Sequence, residues 1–118
     1  MRTTEYDPTT AILNVLADKR PDVYQNQKDG IKNLLKPIKA GNYFGVDGWV
    51  LYFFVNKKHR EVDYIGITKN LSRRMPSHEK LNTLIHDIVI IETKDEEATK
   101  ELEHCFIRDF QPRLNYYL

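Results

Sequence analysis

Two consecutive segments decide the fold of this chain, Trp49-Val-Leu-Tyr-Phe-Phe-Val55 and Val62-Asp-Tyr-Ile-Gly-Ile67. Both are short and rich in β-branched and aromatic residues, which favour strands. The polar stretch of residues 56–61 joins them, so we expect an antiparallel hairpin. Because the first segment is apolar at every position, it is expected to be buried on both faces and to lie centrally in the sheet.

The segments after this hairpin add a helix, a third strand and a last helix. Thr68 or Asn70 can cap the first of these helices, and Ile88-Val-Ile-Ile91 predicts the strand. Asp95 can cap the last helix, and Pro112 is expected to end it. One face of that helix carries Ala98, Leu102, Phe106 and Phe110. The pattern predicts an α/β fold of the α+β type, with a small three-stranded antiparallel sheet flanked by helices.

Residues 1–48 are expected to form a helical N-terminal arm or extension, and residues 49–118 the core of the domain. Proline and glycine residues punctuate the arm, and two short helical patterns lie between them. Thr10 could cap the first pattern, and the second runs roughly from Lys28 to Lys36. The apolar side of the second pattern carries Ile31, Leu34 and Leu35.

Length and composition exclude several classes of protein. The 118 residues, 41% of them hydrophobic, suffice for one domain with one core. A single cysteine excludes an internal disulfide and a cysteine-rich zinc site, and the four histidines lack the spacing of a zinc-binding helix. The longest apolar run is far too short to cross a membrane, and the first residues lack an apolar signal core. We therefore expect a cytoplasmic protein without membrane contact.

The balance of 18 Lys and Arg against 17 Asp and Glu hides an uneven distribution. Residues 56–80 contain seven basic and three acidic residues, whereas residues 87–103 contain two basic and seven acidic ones. Such runs are usually solvated faces. They can also be a phosphate-facing patch beside a carboxylate that holds a metal ion. The nucleic-acid-binding candidates in the basic segment are Lys57, Lys58, Lys69 and Arg73.

Six polar residues could together hydrolyse a phosphodiester bond. These candidate catalytic residues are Tyr52, Tyr64, Arg74, His78, Glu103 and Asn115. Tyrosine and histidine can move a proton, arginine can neutralise charge on phosphorus, and a carboxylate can hold a Mg²⁺ that keeps most of its waters. An i, i+4 spacing would place Arg74 and His78 on one face of a regular helix. Each residue taken alone fits an ordinary strand, surface or turn position more readily.

Two ordered blocks of residues in the later part of the chain form recognisable motifs. The first block consists of Tyr64-Ile65-Gly66, Thr68-Lys69-Asn70-Leu71, Arg74 and His78. The second block consists of Leu102-Glu103, Ile107, Pro112 and Asn115. In order and spacing these blocks resemble those of the GIY-YIG nuclease family, and the resemblance extends from about Trp49 to Asn115.

This resemblance implies a metal-dependent endonuclease that acts on nucleic acid, with DNA as the favoured substrate and one Mg²⁺ or Mn²⁺ ion. Tyr52 and Tyr64 would line the site, and one of them would help to activate the attacking water. Arg74 would steady the scissile phosphate. Glu103 would be the single protein ligand of the metal ion, and His78 would be a catalytic or supporting residue.

The same resemblance makes Asn115 a hydrogen-bonding brace of the site and Gly66 a point of close backbone approach. Two positions depart from the family pattern. The first motif of the family is represented by Val50-Leu51-Tyr52, without its glycine. Pro76 is expected to bend the helix that carries the first block.

An alternative from a different class stays open at this point. The chain could be a catalytically weak or inactive GIY-YIG-fold module that binds nucleic acid or regulates a partner. Because the tyrosines, the arginine, the glutamate and the asparagine of the motifs are all present, an active enzyme is favoured. Selective cutting would need the arm, the loops, a homodimer or a protein partner, since residues 1–48 carry no visible specificity motif.

Overall fold

Four antiparallel strands form the sheet of the computed structural model, which describes residues 7–21, 31–39, 41–43 and 45–115. The strands are β1 (Ile31–Ile38), β2 (Val50–Asn56), β3 (Glu61–Thr68) and β4 (His86–Thr93). The helices are α1 (Pro8–Lys19), α2 (Leu71–Arg74) and α3 (Glu96–Phe110), and a 3-10 turn at Met75–Ser77 follows α2. These residues form a mixed α/β domain, as the sequence predicts.

The strand order β1-β4-β2-β3 places β2 between two neighbours. All of its residues are buried, which confirms the central position predicted from its apolar sequence. Strands β2 and β3 form the expected hairpin, in which Tyr52 lies opposite Gly66 and Phe54 lies opposite Tyr64. This register brings the tyrosine of β2 against a residue without a side chain.

Strand β1 contradicts two expectations from the sequence. The sheet has four strands and not three, and β1 lies where a helix over roughly Lys28–Lys36 is predicted. Residues 31–36 of that predicted helix lie in β1, which pairs antiparallel with β4, and residues 28–30 lie outside the described part. The pairing is irregular at two points, and Leu35 has a φ of 37°. Such bulges break the alternation of side chains along a strand, so the apolar spacing imitates that of a helix. Pro37 is tolerated because β1 lies at the edge of the sheet.

Helix α1 begins slightly earlier than expected, because Asp7 rather than Thr10 caps it. The Asp7 carboxylate accepts a hydrogen bond of 3.0 Å from a first-turn backbone N–H. Ile12 and Leu16 are fully buried and belong to the main apolar core. Residues of the N-terminal third therefore contribute to this core, while the division of the chain into arm and nuclease core stays a prediction.

Apolar layers cover both faces of the sheet. On one face, α1 and α3 pack over Leu51, Phe53 and Val55 of β2. On the other face, α2 and the 3-10 turn pack over Tyr52 and Phe54. Full burial contributes about 1.5–3 kcal/mol for each large apolar side chain. The second face is the one on which polar candidates from β2 and from the α2 region can meet.

Helix α3 carries the acidic candidate alongside the hairpin. Asp95 caps α3 as predicted, since its carboxylate accepts from the Ala98 N–H at 2.8 Å. The helix ends at Phe110, after which Gln111 adopts a left-handed conformation with a φ of 48°. Because α3 contacts β3 more extensively than it contacts the other strands, it holds Glu103 next to the edge of the sheet.

Candidate active site

The hydroxyl of Tyr52 is the point on which the predicted site residues converge. Tyr52 is 1% exposed, and Nε2 of His78 lies 2.9 Å from its Oη. The positive charge of Arg74 also acts on the Tyr52 hydroxyl. One strand residue and two residues from the following helical segment thus interact at a single hydroxyl group.

The ring proton of His78 can be assigned from its second hydrogen bond. Nδ1 of His78 accepts from the backbone N–H of Lys80 at 3.1 Å, so the proton of the neutral ring lies on Nε2. His78 therefore donates to Tyr52 and does not accept its proton. Burial, with the positive charges of Arg74 and Lys80, lowers the pKa of His78 to about 4. The ring is neutral at pH 7.

Tyr52 keeps its own proton at neutral pH. Burial raises the pKa of Tyr52 well above its usual 10.0, and the neighbouring Tyr64 adds to this rise. Arg74 acts in the opposite direction, and the charge of Glu103 raises the pKa again. Since Oη already accepts from His78, the hydroxyl proton is what Tyr52 can offer to a further acceptor.

The chain between Arg74 and His78 is not a regular helix, which corrects the expectation drawn from their i, i+4 spacing. Helix α2 ends at Arg74, Met75–Ser77 form the 3-10 turn, and His78 has extended backbone. Pro76 lacks the N–H that would continue the helix. His78 nevertheless reaches the Tyr52 hydroxyl and the charge of Arg74 acts on it, so the bend at Pro76 is compatible with the site.

Tyr64 lies diagonally across the hairpin from Tyr52. Its direct cross-strand partner is Phe54, with ring centroids 5.5 Å apart. The ring of Tyr52 is 6.2 Å away, and the ring of His78 meets Tyr64 edge-on at 5.0 Å. Tyr64 is half-buried, whereas the other three rings are buried, so it bounds the aromatic group on the solvent side.

Glu103 is a half-buried carboxylate that could hold a metal ion. Among the described residues it has no hydrogen-bond donor, although the charge of Lys100 acts on it. Burial raises the pKa of Glu103, and Lys100 offsets only part of this rise. The described residues contain no group of three or more His, Cys, Asp and Glu side chains suited to a metal.

Asn115 forms hydrogen bonds to the edge strand β3 through both the oxygen and the nitrogen of its side-chain amide. Oδ1 of Asn115 accepts from the Ile65 N–H at 2.9 Å, and Nδ2 donates to the Ile65 carbonyl at 2.9 Å. These bonds fix the backbone directly before Gly66, against which the Tyr52 ring lies. The geometry fits the predicted bracing by Asn115, whose effect on activity stays a prediction.

Asp63 forms a buried polar network that the sequence analysis does not predict. Its carboxylate accepts from Asn56 and His86 at 3.0 Å each and from two nitrogens of Arg113 at 3.1 Å each. Burial alone would raise the pKa of Asp63, but the hydrogen bonds from Asn56, Arg113 and His86 outweigh it and hold the pKa below its usual 3.8. The one signal in the sequence is an acidic residue inside the apolar run of β3.

The four basic candidates do not form one patch. Lys57 and Lys58 lie in the turn between β2 and β3, whereas Lys69 and Arg73 follow the other end of β3. All four are exposed. An eight-residue strand separates the two pairs, which corresponds to roughly 25 Å at about 3.3 Å per residue. The tyrosines of the hairpin lie between them.

A comparison with models of protein families identifies the later part of the chain. The model described as the GIY-YIG catalytic domain matches residues 48–116, which is more than half of the chain and includes all six candidate catalytic residues. No curated protein and no solved structure matches the chain significantly. Within the described ranges, no helix combines the length and apolar character needed to cross a membrane.

Proposed function

Because the chain belongs to the GIY-YIG family, we propose that it is an endonuclease that uses a divalent metal ion to hydrolyse phosphodiester bonds, with DNA as the favoured substrate. The observation that carries this proposal is the convergence of His78 and Arg74 on the Tyr52 hydroxyl, with Glu103 in electrostatic range. A proton-bearing group, a cation for the phosphate and a carboxylate for the metal are what this hydrolysis needs.

Tyr52 orients the attacking water in the proposed mechanism. Arg74 is half-exposed, so its guanidinium can turn from Tyr52 to the scissile phosphate when substrate binds. Oη has a second lone pair beside the one that accepts from His78, and it accepts a hydrogen bond from the water. His78 continues to donate to Oη and holds the phenol in place. A neutral hydroxyl held in this way orients the attacking water through the hydrogen bond that it accepts.

Glu103 would hold the divalent ion. Its half-buried carboxylate has no hydrogen-bond donor among the described residues and a raised pKa, so a bound cation would favour its ionised form. When bound, the ion supplies Lewis-acid stabilisation of the charge that develops on the phosphate and the leaving oxygen. Tyr64, with its half-exposed ring, would form the wall of the site nearest to the substrate.

The two separate pairs of exposed basic residues favour a substrate that runs along the β2–β3 hairpin. Lys57 and Lys58 would contact phosphates on one side of the scissile bond, and Lys69 and Arg73 those on the other. Because only two basic residues contact phosphates at each end of the hairpin, we expect a modest affinity for nucleic acid. We therefore expect a second copy or a protein partner to supply selective binding.

Cleavage of supercoiled plasmid in the presence of Mg²⁺ tests the proposed function. Glu103→Gln and Arg74→Ala are each expected to cut at least about a hundredfold more slowly than wild type, because each removes charge stabilisation from the transition state. Glu101→Gln is the matched control, since it makes the same change at an exposed position of the same helix. Equal cleavage by all four proteins would refute the site, and no cleavage of DNA or RNA by wild type would favour the binding module.

A second prediction concerns the role of His78. The amide nitrogen of a glutamine can replace Nε2 as a donor to Tyr52, so His78→Gln is expected to keep cleavage within about tenfold of wild type. His78→Ala removes the donor and should cut more slowly than His78→Gln. Since the pKa of His78 is about 4, its ring should add no titration step to the pH-rate profile between pH 5 and 8.

The competing role for His78 is that of a general base, whose loss would slow cleavage by about 10²–10⁴-fold. A slowing of that size in His78→Gln would contradict donation as its function. So would a titration step near pH 6.5 that is present in wild type and absent from the variant.

A further inference from the structure

The loop between the 3-10 turn and β4 presents an apolar tip to solvent. Leu84 is 85% exposed and Ile85 is 39% exposed, and they are the exposed large hydrophobic residues of the described chain. A single exposed leucine is ordinary on a protein surface. Here, two adjacent apolar residues share a loop that begins at the site residue His78. The proposed hydrolysis does not require them.

Hydrogen bonds hold this tip in place relative to the sheet. Asn82 accepts from the Leu84 N–H through Oδ1 and from the Ile85 N–H through its carbonyl, both at 3.0 Å. From the neighbouring turn, the Lys57 N–H donates to the Ile85 carbonyl at 2.8 Å, and Nζ donates to the Thr83 carbonyl at 3.4 Å. Leu84 is therefore presented by a braced loop at a defined distance from the active site.

A groove beside the loop is lined both by the tip and by His78. Leu84 and His78 both line it, together with Tyr43 and Pro76, and its volume is about 520 Å³. A groove of this size is in the range that accommodates a small planar ligand. A base displaced by Leu84 would thus have room in a groove whose wall includes His78.

The charges around the tip favour a polyanionic partner. Lys57 and Lys58 lie in the turn that braces the loop, and Lys80 lies within the loop itself. Glu79 is the one acidic residue of the loop. A hydrophobic tip among lysines fits the base stack and phosphates of a nucleic acid better than it fits an apolar protein surface.

We propose that Leu84 is a wedge that inserts into the base stack of a duplex bound at the active site. This inference rests on the proposed nuclease function and deepens it. Apolar side chains that enter a base step unstack and kink the duplex. Because unstacking costs least where pairing is already impaired, the favoured substrates are duplexes with a weakened step, such as a mismatch.

A duplex oligonucleotide that carries 2-aminopurine at a mismatched step tests the wedge, since the fluorescence of this base rises when it unstacks. The protein carries Glu103→Gln so that binding is measured without cleavage. With Leu84 intact, fluorescence is expected to rise several-fold on binding. Leu84→Ser should abolish the rise and weaken mismatched-duplex binding about tenfold, whereas Leu84→Met should retain both. Leu84→Ala provides a second truncation if Leu84→Ser disturbs folding.

Two results would overturn the wedge. One is an equal fluorescence rise with and without Leu84. The other is unchanged duplex binding together with a shift in the sedimentation of Leu84→Ser, which would assign the tip to contact with a second copy. The wedge proposal and the nuclease proposal can be refuted independently of each other. Unstacking by a protein that cuts no nucleic acid would refute only the nuclease, and cleavage by a protein that never unstacks the base would refute only the wedge.

Discussion

Gly66→Ala is expected to lower the free energy of unfolding by about 3 kcal/mol and to abolish cleavage. An alanine Cβ would lie 2.5 Å from Cζ and 2.9 Å from Cε1 of Tyr52, distances shorter than those that Cβ atoms show in real contacts. The Tyr52 ring cannot easily retreat, because the rings of Phe54 and His78 pack against it at centroid distances of 5.3 and 5.5 Å. The clash therefore moves Oη away from Nε2 of His78, its hydrogen-bond donor.

The sign of the stability change separates this clash from ordinary strand propensity. Replacing glycine by alanine inside a strand normally stabilises by roughly 0.5–1 kcal/mol. Tyr52→Leu removes the clashing atoms but leaves an apolar side chain, so Gly66→Ala should cost much less in that background. Urea unfolding of the wild type, both single variants and the double variant measures the difference. Equal costs in the two backgrounds would mean that the tyrosine ring is not the obstacle.

Asp63→Asn is expected to destabilise the fold by about 3–5 kcal/mol, a large share of the stability of a small domain. The carboxylate is 1% exposed and accepts from Asn56, His86 and Arg113. An asparagine side chain offers one acceptor oxygen in place of two. Its NH2 group is itself a donor and would face donor groups that the carboxylate now accepts from. Arg113 is 57% exposed, so its own replacement should cost less than that of Asp63.

The effect of Asp63 should depend on pH in one direction. Because its folded-state pKa lies below the usual 3.8, ionised Asp63 contributes stability above about pH 4 and loses it as the pH falls through the folded-state value. The gap between wild type and Asp63→Asn, measured by urea unfolding, should therefore shrink from pH 7 towards pH 3.

The matched control for Asp63→Asn is Glu61→Gln. It removes one negative charge from an exposed position of the same strand, so it is expected to change stability by less than about 0.5 kcal/mol. A loss as large as that of Asp63→Asn would trace the effect to net charge and not to the network. A gap that stays constant with pH would contradict ionisation as its cause.

The parts of the fold that sequence predicts are those with local patterns. The β2–β3 hairpin follows from two apolar runs around a polar turn, and α3 follows from a cap at Asp95 and a regular apolar face. Tyr52, Arg74 and His78 could be grouped through motif resemblance, but the spacing alone suggested a regular helix. The bend at Pro76 and the tautomer of His78 depend on neighbours that only the folded chain brings together.

The parts that sequence does not predict depend on irregular or distant contacts. Strand β1 is hidden because two irregularities disturb its apolar alternation. The network around Asp63 is hidden because its donors lie 7, 23 and 50 positions away along the chain. Neither Asn56 nor Arg113 is unusual in its own segment, so only the packed strands and the returning C-terminal residues reveal their shared partner.

Strand β3 lies at the margin of the sheet, where unpaired backbone groups would invite another chain to add a strand. The Asn115 amide occupies both the N–H and the carbonyl of Ile65, and the Leu114 N–H occupies the carbonyl of Asp63. The last described residues thus substitute for a missing neighbouring strand. The segment that holds the β2–β3 hairpin in place thus also covers the backbone groups to which another chain could pair, so the same few hydrogen bonds serve both purposes.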